Sequence, residues 1–402
     1  MRASRPLLVL ALLLSLSGTF GTIRPTPIAA QESAPCWDSA TGGPTDLDTV
    51  SQDPRVAAVI NGIAERVSTL RARSPAPSIS IAVVHDQEPL FLGSFGCAVV
   101  PETDATPDES SMIGSITKIF TDTMLMQLRD AGKLDLDDPV DRYVPEVVYL
   151  APDGRLISPT FRQLAQHRAG LPRDMSPPPA TPSELFARLP RVRALWHPGD
   201  GFSYSNLGVA TLARALAVIA GEPYEQYIDA HILAPLGMSH SGFFAAATPQ
   251  PWLATGYQGP AQRPVPLPAG NAMSGAGFLW SSAADMARFI ALQFRDAPAD
   301  GDAVLSGASL REMWTDTAPT GGNGRIGLGW FVTARQGETV YMHNGAVAGF
   351  RADLKIAPEL KLGVHVQINW NAGNDVASAR PESLGTAILD ALIPAMRAAT
   401  RP

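Results

Sequence analysis

Ser115 and Lys118 stand three positions apart in the segment G-S-I-T-K-I-F, and Lys118 is one of only four lysines in the chain. Residues three positions apart on a helix share a face, so these two side chains could touch. A serine hydroxyl becomes an effective nucleophile when a neighbouring group accepts its proton. A lysine amine can accept that proton if burial lowers its pKa toward neutrality. The pair is therefore a candidate nucleophile and base.

The same spacing also arises by chance, and an exposed helix face would explain it without any chemistry. Two further segments favour the chemical interpretation. The first is F-S-Y-S-N-L-G, where Tyr204 could act as a general base and Asn206 could orient Lys118 and a substrate amide. Taken alone, this segment could equally be a loop leading into the helix that is predicted to begin near Leu207.

The second segment is M-H-N-G-A-V-A-G-F, which predicts the end of a strand. Gly345 would allow a substrate backbone to approach that strand closely. The backbone N–H of Ala346 could then join that of Ser115 in stabilising a developing oxyanion. His343 could equally be a polar strand residue without a function.

The fold must bring these residues together, and the sequence pattern predicts strands and a helix at both ends of the chain. Helical spacing of apolar residues runs from Val56 to Leu70, two alternating segments typical of a strand pair follow, and a final helical pattern runs from Leu384 to Met396. The pattern predicts an α+β fold, with an antiparallel sheet flanked by terminal helices, a second mostly helical lobe, and a ligand cleft between the lobes. The predicted parts are an N-terminal arm at 31–54, a main domain at 55–398, a sheet lobe at 55–110 and 325–398, and a helical lobe at 111–324.

The first thirty residues have the features of an export signal. Arg2 and Arg5 precede a short apolar run, and the small residues Ala29 and Ala30 follow it. Residues 1–30 are therefore predicted to be a cleaved signal peptide, and the protein to be secreted or periplasmic.

The chain contains two cysteines, Cys36 and Cys97. In an oxidising compartment they could pair and tie the N-terminal arm to a strand. Two free thiols are the alternative.

Composition excludes several classes of function. The chain has 402 residues, of which 45% are hydrophobic and 17% charged, and this composition indicates a folded protein. The length exceeds what a single hydrophobic core usually serves. A formal net charge of −7 argues against binding nucleic acid or an anionic membrane surface. The sequence has no zinc-type Cys/His spacing, no phosphate-binding glycine fingerprint and no later segment long enough to span a bilayer. We therefore expect no metal, no cofactor, no nucleic-acid partner and no transmembrane anchor, while the oligomeric state stays open.

The motifs S-I-T-K, Y-S-N and H-N-G, in this order and at these separations, resemble those of the penicillin-recognising serine hydrolases. The branch they resemble includes class C β-lactamases, D-alanyl-D-alanine carboxypeptidases and related carboxylesterases. Accessory stretches such as L-A-Q-H-R-A-G-L-P and I-G-L-G-W agree, and the resemblance covers residues from about 55 to 395. It implies the β-lactamase/transpeptidase-like fold.

The resemblance also implies a role for each matching residue. Ser115 would be the acylated nucleophile, Lys118 its proton acceptor, and Tyr204 the proton shuttle or base. The remaining expected roles are substrate amide binding by Asn206, an oxyanion hole from the N–H groups of Ser115 and Ala346, and contact with the leaving side of the substrate by His343 and Asn344.

One position departs from the pattern of the β-lactamases in this branch, which carry Lys-Thr-Gly where this chain has His343-Asn344-Gly345. Histidine is mostly neutral at pH 7, so an anionic β-lactam should be recognised less well. Arg351 could supply a cation if its strand faced the cleft, and Asn369 could assist. An Arg351 side chain that faces outward is the simpler expectation.

These observations predict an exported serine hydrolase that cleaves an ester or amide of a small molecule or peptide through an acyl-enzyme at Ser115. Esterase or carboxypeptidase activity is favoured, with weak β-lactamase action. The alternative is a sensor that binds a β-lactam or peptide without turnover. An ordinary α/β-hydrolase is disfavoured because no Gly-x-Ser-x-Gly elbow occurs. The loops at 171–182 and 248–270 are expected to border the cleft and set specificity.

Overall fold

An antiparallel sheet carries the fold, and its two faces are covered by different sets of helices. The computed structural model describes residues 36–45, 52–72, 76–244, 250–266, 272–296, 304–371 and 380–400. These residues all lie within one compact unit of the chain, Ala34–Pro402. The predicted signal peptide lies outside the described residues.

Ten of the described strands form the main sheet, and three short two-stranded sheets lie elsewhere. The strands are β1 Ala40–Pro44, β2 Ser78–His85, β3 Glu88–Val99, β4 Thr103–Asp104, β5 Ser110–Met112, β6 Tyr149–Leu150, β7 Leu156–Ile157, β8 Gly256–Gln258, β9 Arg263–Val265, β10 Trp280–Ser282, β11 Ala318–Gly321, β12 Gly324–Ile326, β13 Phe331–Arg335, β14 Glu338–Val347, β15 Phe350–Ala357 and β16 Leu362–Ile368. The main sheet has the order β1-β3-β2-β16-β15-β14-β13-β12-β11, with β4 beside β3.

The helices flank this sheet and fill the region between its N-terminal and C-terminal strands. They are α1 Pro54–Asn61, α2 Ile63–Arg71, α3 Thr117–Asp130, α4 Phe161–Ala165, α5 Pro182–Arg188, α6 Asn206–Ala220, α7 Tyr224–Ile228, α8 Ala283–Leu292, α9 Gly307–Thr315 and α10 Pro381–Ala399. The predicted helix from Val56 to Leu70 is two helices, because Gly62 ends α1 and begins α2. No helix among the described residues is both long and apolar enough to cross a bilayer.

Side-chain alternation along β2 explains why both sheet faces are buried. Ile79, Ile81 and Val83 pack into one apolar cluster with the terminal helices α1, α2 and α10. Ala82 and Val84 point the other way, into a larger cluster with α3, α6 and α8. The predicted α+β architecture of sheet, terminal helices and helical segments is confirmed, while the predicted lobe boundaries remain predictions.

The N-terminal arm contributes structure that its sequence did not predict. Within it, β1 pairs with β3, from Ala40 opposite Phe95 to Pro44 opposite Phe91. A disulfide joins Cys36 to Cys97, which lies in β3, so of the two alternatives that the sequence left open the structure contains the disulfide. The arm is therefore attached to the sheet by both hydrogen bonds and a covalent bond.

We expect the double variant Cys36→Ser/Cys97→Ser to have a lower free energy of unfolding. Closing a loop with a sequence separation of 61 residues restricts the unfolded chain and is worth about 4 kcal/mol in the chain-entropy model. Urea unfolding of the oxidised wild type and of the variant measures the difference. A reducing agent should lower the stability of the wild type but not of the variant. Equal stability of the oxidised wild type and the variant would contradict the expected effect.

Candidate active site

Ser115 and Lys118 lie where a short 3-10 turn, Gly114–Ile116, leads into α3. Gly114 has a φ of +54°, and a Cβ added there would lie 2.7 Å from the backbone nitrogen of Ala346. The turn and β14 therefore approach each other closely at a point where only glycine fits. The Lys118 Nζ is 3.1 Å from the Ser115 Oγ, so the structure brings the two residues together as predicted.

Lys118 is completely buried and its amine has three neighbours within hydrogen-bond distance. Besides Ser115, they are the Oδ1 of Asn206 at 2.8 Å and the backbone oxygen of Ala276 at 2.5 Å. Both of these oxygen atoms can only accept hydrogen bonds. A neutral amine would use its two N–H groups on them, which leaves its lone pair for the hydroxyl hydrogen of Ser115.

The charge on Lys118 is controlled mainly by burial, which lowers its pKa to about 7. The nearby guanidinium of Arg173 lowers the pKa further, while Asp122 and Asp174 oppose this shift. A substantial fraction of the amine is therefore neutral near pH 7 and able to accept a proton.

Tyr204 lies beside this pair, immediately before the N-cap of α6 at Ser205. Burial raises the pKa of Tyr204 to about 12, against the opposing effect of a hydrogen bond with Ser115. Its ring centroid is 5.0 Å from the Lys118 Nζ and 4.3 Å from the ring of His167. At neutral pH Tyr204 is thus a neutral phenol, suited to relaying a proton rather than holding a negative charge.

Asn206, the first residue of α6, has both ends of its amide occupied. Its Oδ1 accepts a hydrogen bond from Lys118, and its Nδ2 donates one to the Oδ1 of Asp174 at 2.8 Å. The carboxylate thereby fixes the orientation of the amide, with oxygen toward Lys118.

His343 is buried in β14 and is electrically neutral. Its Nδ1 lies 2.7 Å from the backbone oxygen of Asn344, which only accepts, so Nδ1 carries the hydrogen. Burial lowers the pKa of His343 to about 3, with the Lys118 charge acting in the same direction. Its Nε2 is buried without a hydrogen-bond partner among the described residues. His343 therefore supplies no cation to the cleft.

The Asn344 side chain lies apart from the rest of the predicted site. Successive strand residues face opposite ways, and the exposed Asn344 donates to Glu382 at the start of α10 rather than facing Ser115. Arg351 pairs with the same Glu382 carboxylate at 2.9 Å, so its charge already has a partner within the protein. Asn369 is also remote, because its side chain is buried and holds the backbone of Ser78 and Cys97.

Gly345 and Ala346 lie directly against the nucleophile segment. A Cβ at Gly345 would lie 1.9 Å from the backbone oxygen of Ile113 and 3.0 Å from the backbone nitrogen of Ser115. The pairing of β14 with β13 ends at Met342 opposite Phe331. Beyond Met342, β14 keeps β15 as its described neighbour and leaves an open strand edge beside Ser115.

A cavity of about 220 Å³ opens next to Ser115. It is lined by Ser115, Asp174, Met175, Pro178, Asn206, Met273, Ala276, Gly277, Phe278, Ala346 and Val347. The loop at 171–182 therefore borders the cleft as expected. None of the described residues 250–266 of the second loop lines this cavity.

The sequence did not single out Arg173, Asp174, His167 or Asp122. Arg173 and Asp174 lie in the loop at 171–182, for which the sequence predicts a position beside the cleft but no role for an individual residue. Asp122 follows Lys118 by one helical turn and is fully buried, and neither of its carboxyl oxygens has a hydrogen-bond partner among the described residues. Its position four residues after Lys118 was the available signal.

Comparisons with known proteins show which proteins this chain resembles. A family model described as Beta-lactamase matches residues 63–387. The chain is 27% identical to Beta-lactamase-like protein 2 of Dictyostelium discoideum over 342 residues, which is 80% of this chain and 61% of that protein. It is 26% identical to the D-alanyl-D-alanine-carboxypeptidase/endopeptidase AmpH of Escherichia coli strain K12 over 321 residues, which is 73% of this chain and 80% of AmpH.

A solved structure is also similar, that of the octameric penicillin-binding protein homologue from Pyrococcus abyssi. Its TM-score is 0.71 at 27% identity, with 83% of this chain and 77% of that chain covered. The chain spans 58% to 64% of the length of several of the curated relatives that it matches.

We expect Gly345→Ala to destabilise the protein, because the added methyl group would overlap the backbone oxygen of Ile113 and force β14 away from Ser115. Overpacking of this kind costs about 1–3 kcal/mol in the free energy of unfolding. Urea unfolding measures the cost, and Ala346→Ser, a neighbouring change at an exposed position, should stay within about 0.5 kcal/mol of the wild type. A Gly345→Ala protein as stable as the wild type would contradict the close contact.

Proposed function

The chain belongs to the Beta-lactamase family, and on that premise we propose that it is a serine hydrolase that cleaves ester or amide bonds through an acyl-enzyme at Ser115. The observation that supports this most is the buried Lys118 amine, held by two acceptor oxygen atoms and 3.1 Å from the Ser115 hydroxyl. A base in hydrogen-bond contact with a hydroxyl is the arrangement that activates a serine.

In the acylation step, the Ser115 Oγ attacks the carbonyl carbon and its proton passes to the Lys118 Nζ. The negative charge that develops on the carbonyl oxygen is stabilised by the backbone N–H groups of Ser115 and Ala346. The bond to the leaving oxygen or nitrogen then breaks, and the leaving atom receives a proton from Lys118 through the hydroxyl of Tyr204. The product is an ester of Ser115.

In the deacylation step, a water molecule attacks that ester. The water proton passes through the Tyr204 hydroxyl to Lys118. Lys118 then gives a proton to the Ser115 Oγ, which regenerates the hydroxyl as the acid is released. Because the pKa of Tyr204 is raised to about 12, its hydroxyl passes protons without becoming a stable anion.

Among substrates, we favour esters and peptides over β-lactams. The position that would receive an antibiotic carboxylate holds the neutral His343, and Arg351 is already paired with Glu382. The likeness to AmpH, named a D-alanyl-D-alanine-carboxypeptidase/endopeptidase, supports including a peptidase activity. Export to the periplasm or the medium is part of the proposal, supported by the sequence of residues 1–30 and by the disulfide.

We expect Ser115→Ala to lower hydrolysis of a short-chain p-nitrophenyl ester by about 10⁶-fold. Ser203→Ala, which changes a serine near Tyr204 outside the motif, should retain activity. Intact mass spectrometry with a penicillin should show at most a slow, Ser115-dependent adduct, and a peptide ending in D-Ala-D-Ala separates peptidase from esterase. Hydrolysis by Ser115→Ala at the wild-type rate would rule the proposal out. A stable adduct without ester turnover would instead support the sensor.

We expect kcat/KM for a neutral ester to fall about tenfold per pH unit below about pH 7, because protonated Lys118 cannot accept the Ser115 proton. Arg173→Gln removes a cation that disfavours the charged amine, so the pKa of Lys118 should rise and the acid limb should move to higher pH. Arg142→Gln, at an exposed position, is the control and should leave the limb in place. An unchanged limb in Arg173→Gln would show that another group controls the profile.

A further inference from the structure

We propose that Asp174 determines which acyl groups the site accepts, and that it favours acyl groups bearing a positive charge. This proposal rests on the proposed function, since it concerns the acyl part of the substrate of the same site. It is carried by the position of the Asp174 carboxylate in the cavity beside Ser115.

The cavity is placed to hold the acyl part rather than the leaving group. The leaving atom must receive a proton and therefore has to lie near Tyr204, whose ring is close to those of His343 and Phe331. None of these three aromatic residues lines the cavity. The cavity thus extends from Ser115 in another direction, past Asn206 and toward Asp174.

Asp174 is the one ionisable side chain among the described residues that line this cavity. The other walls are predominantly apolar, with Met175, Pro178, Met273 and Phe278 among them. A single carboxylate on an otherwise apolar surface attracts a cationic group and repels an anionic one. The apolar walls would contact the hydrocarbon part of the acyl chain, and the carboxylate its charged end.

The existing contacts of Asp174 leave it able to do this. Its Oδ1 accepts from the Asn206 amide, and its Oδ2 is 3.6 Å from the Nε of Arg173. The Arg173 guanidinium, however, lies 5.1 Å above the centroid of the Tyr204 ring and is not among the cavity-lining residues. The Asp174 side chain is 53% exposed, so its attraction for a ligand is partly screened by water and modest in size.

A second role for Asp174, holding the Asn206 amide, must be separated from this one. Asp174→Asn is suited to the purpose, because an asparagine oxygen can still accept from the Asn206 Nδ2 while the negative charge is lost. A role limited to positioning Asn206 predicts similar effects on all substrates. Charge recognition predicts an effect that depends on the charge of the acyl group.

The test uses two p-nitrophenyl esters of the same shape, 4-(trimethylammonio)butyrate and 5,5-dimethylhexanoate, which differ by nitrogen in place of carbon. We measure the ratio of kcat/KM for the cationic ester to that for the neutral ester, at a pH above the acid limb. Asp174→Asn should lower this ratio about fivefold. Asp153→Asn, an exposed aspartate that is also paired with an arginine, is the control and should leave the ratio unchanged.

A ratio that is the same in Asp174→Asn and wild type overturns the inference while ester hydrolysis itself still supports the proposed function. If neither ester is hydrolysed, the proposed function fails, and calorimetric binding of the two esters to Ser115→Ala decides the inference without turnover. Weaker binding of the cationic ester alone in Ser115→Ala/Asp174→Asn supports charge recognition. Equal changes for both esters overturn it.

Discussion

The chemistry of this cleft depends on one buried lysine amine being held between two oxygen atoms that can only accept hydrogen bonds. The Asn206 side chain and the Ala276 backbone supply those oxygen atoms, and burial disfavours the charged ammonium. The lone pair of the neutral amine is thereby directed at the Ser115 hydroxyl. If either acceptor moved, the lone pair would no longer be fixed, although Ser115 and Lys118 would still be three residues apart where the 3-10 turn leads into α3.

Several distant parts of the chain must meet to create that environment. Gly345 of β14 allows the Ser115 turn to approach within a distance that no side chain would permit, and α6 presents Asn206 from the opposite side. The same packing makes His343 a neutral strand residue and gives Arg351 a carboxylate partner outside the cleft. The preference we propose for esters and peptides over β-lactams therefore follows from the fold, which leaves His343 neutral and pairs Arg351 with Glu382.

The sequence predicted those features that depend on local spacing. The three-residue spacing predicted contact between Ser115 and Lys118, and that contact is present. Gly345 was predicted to let a substrate backbone approach the strand, whereas the backbone that the structure places against it is that of Ile113 and Ser115. Because side chains alternate along a strand, the sequence predicts that His343 and Asn344 face opposite sides of the sheet. It could not predict which of the two faces inward, because that depends on how β14 pairs with β15. The Ala276 oxygen could not be predicted, since any residue carries a backbone oxygen and this one lies 158 positions from Lys118.

The disulfide between Cys36 and Cys97 also affects how the sheet meets other molecules. Its nearby strand β1 is short, contains two glycines and a proline, and covers the outer edge of the twelve-residue strand β3. Such a strand is a poor template for further pairing, whereas a long uncovered strand invites it. The disulfide therefore helps to keep β1 over the edge of β3. Its reduction would favour exposure of that edge, and with it strand pairing between copies of the chain.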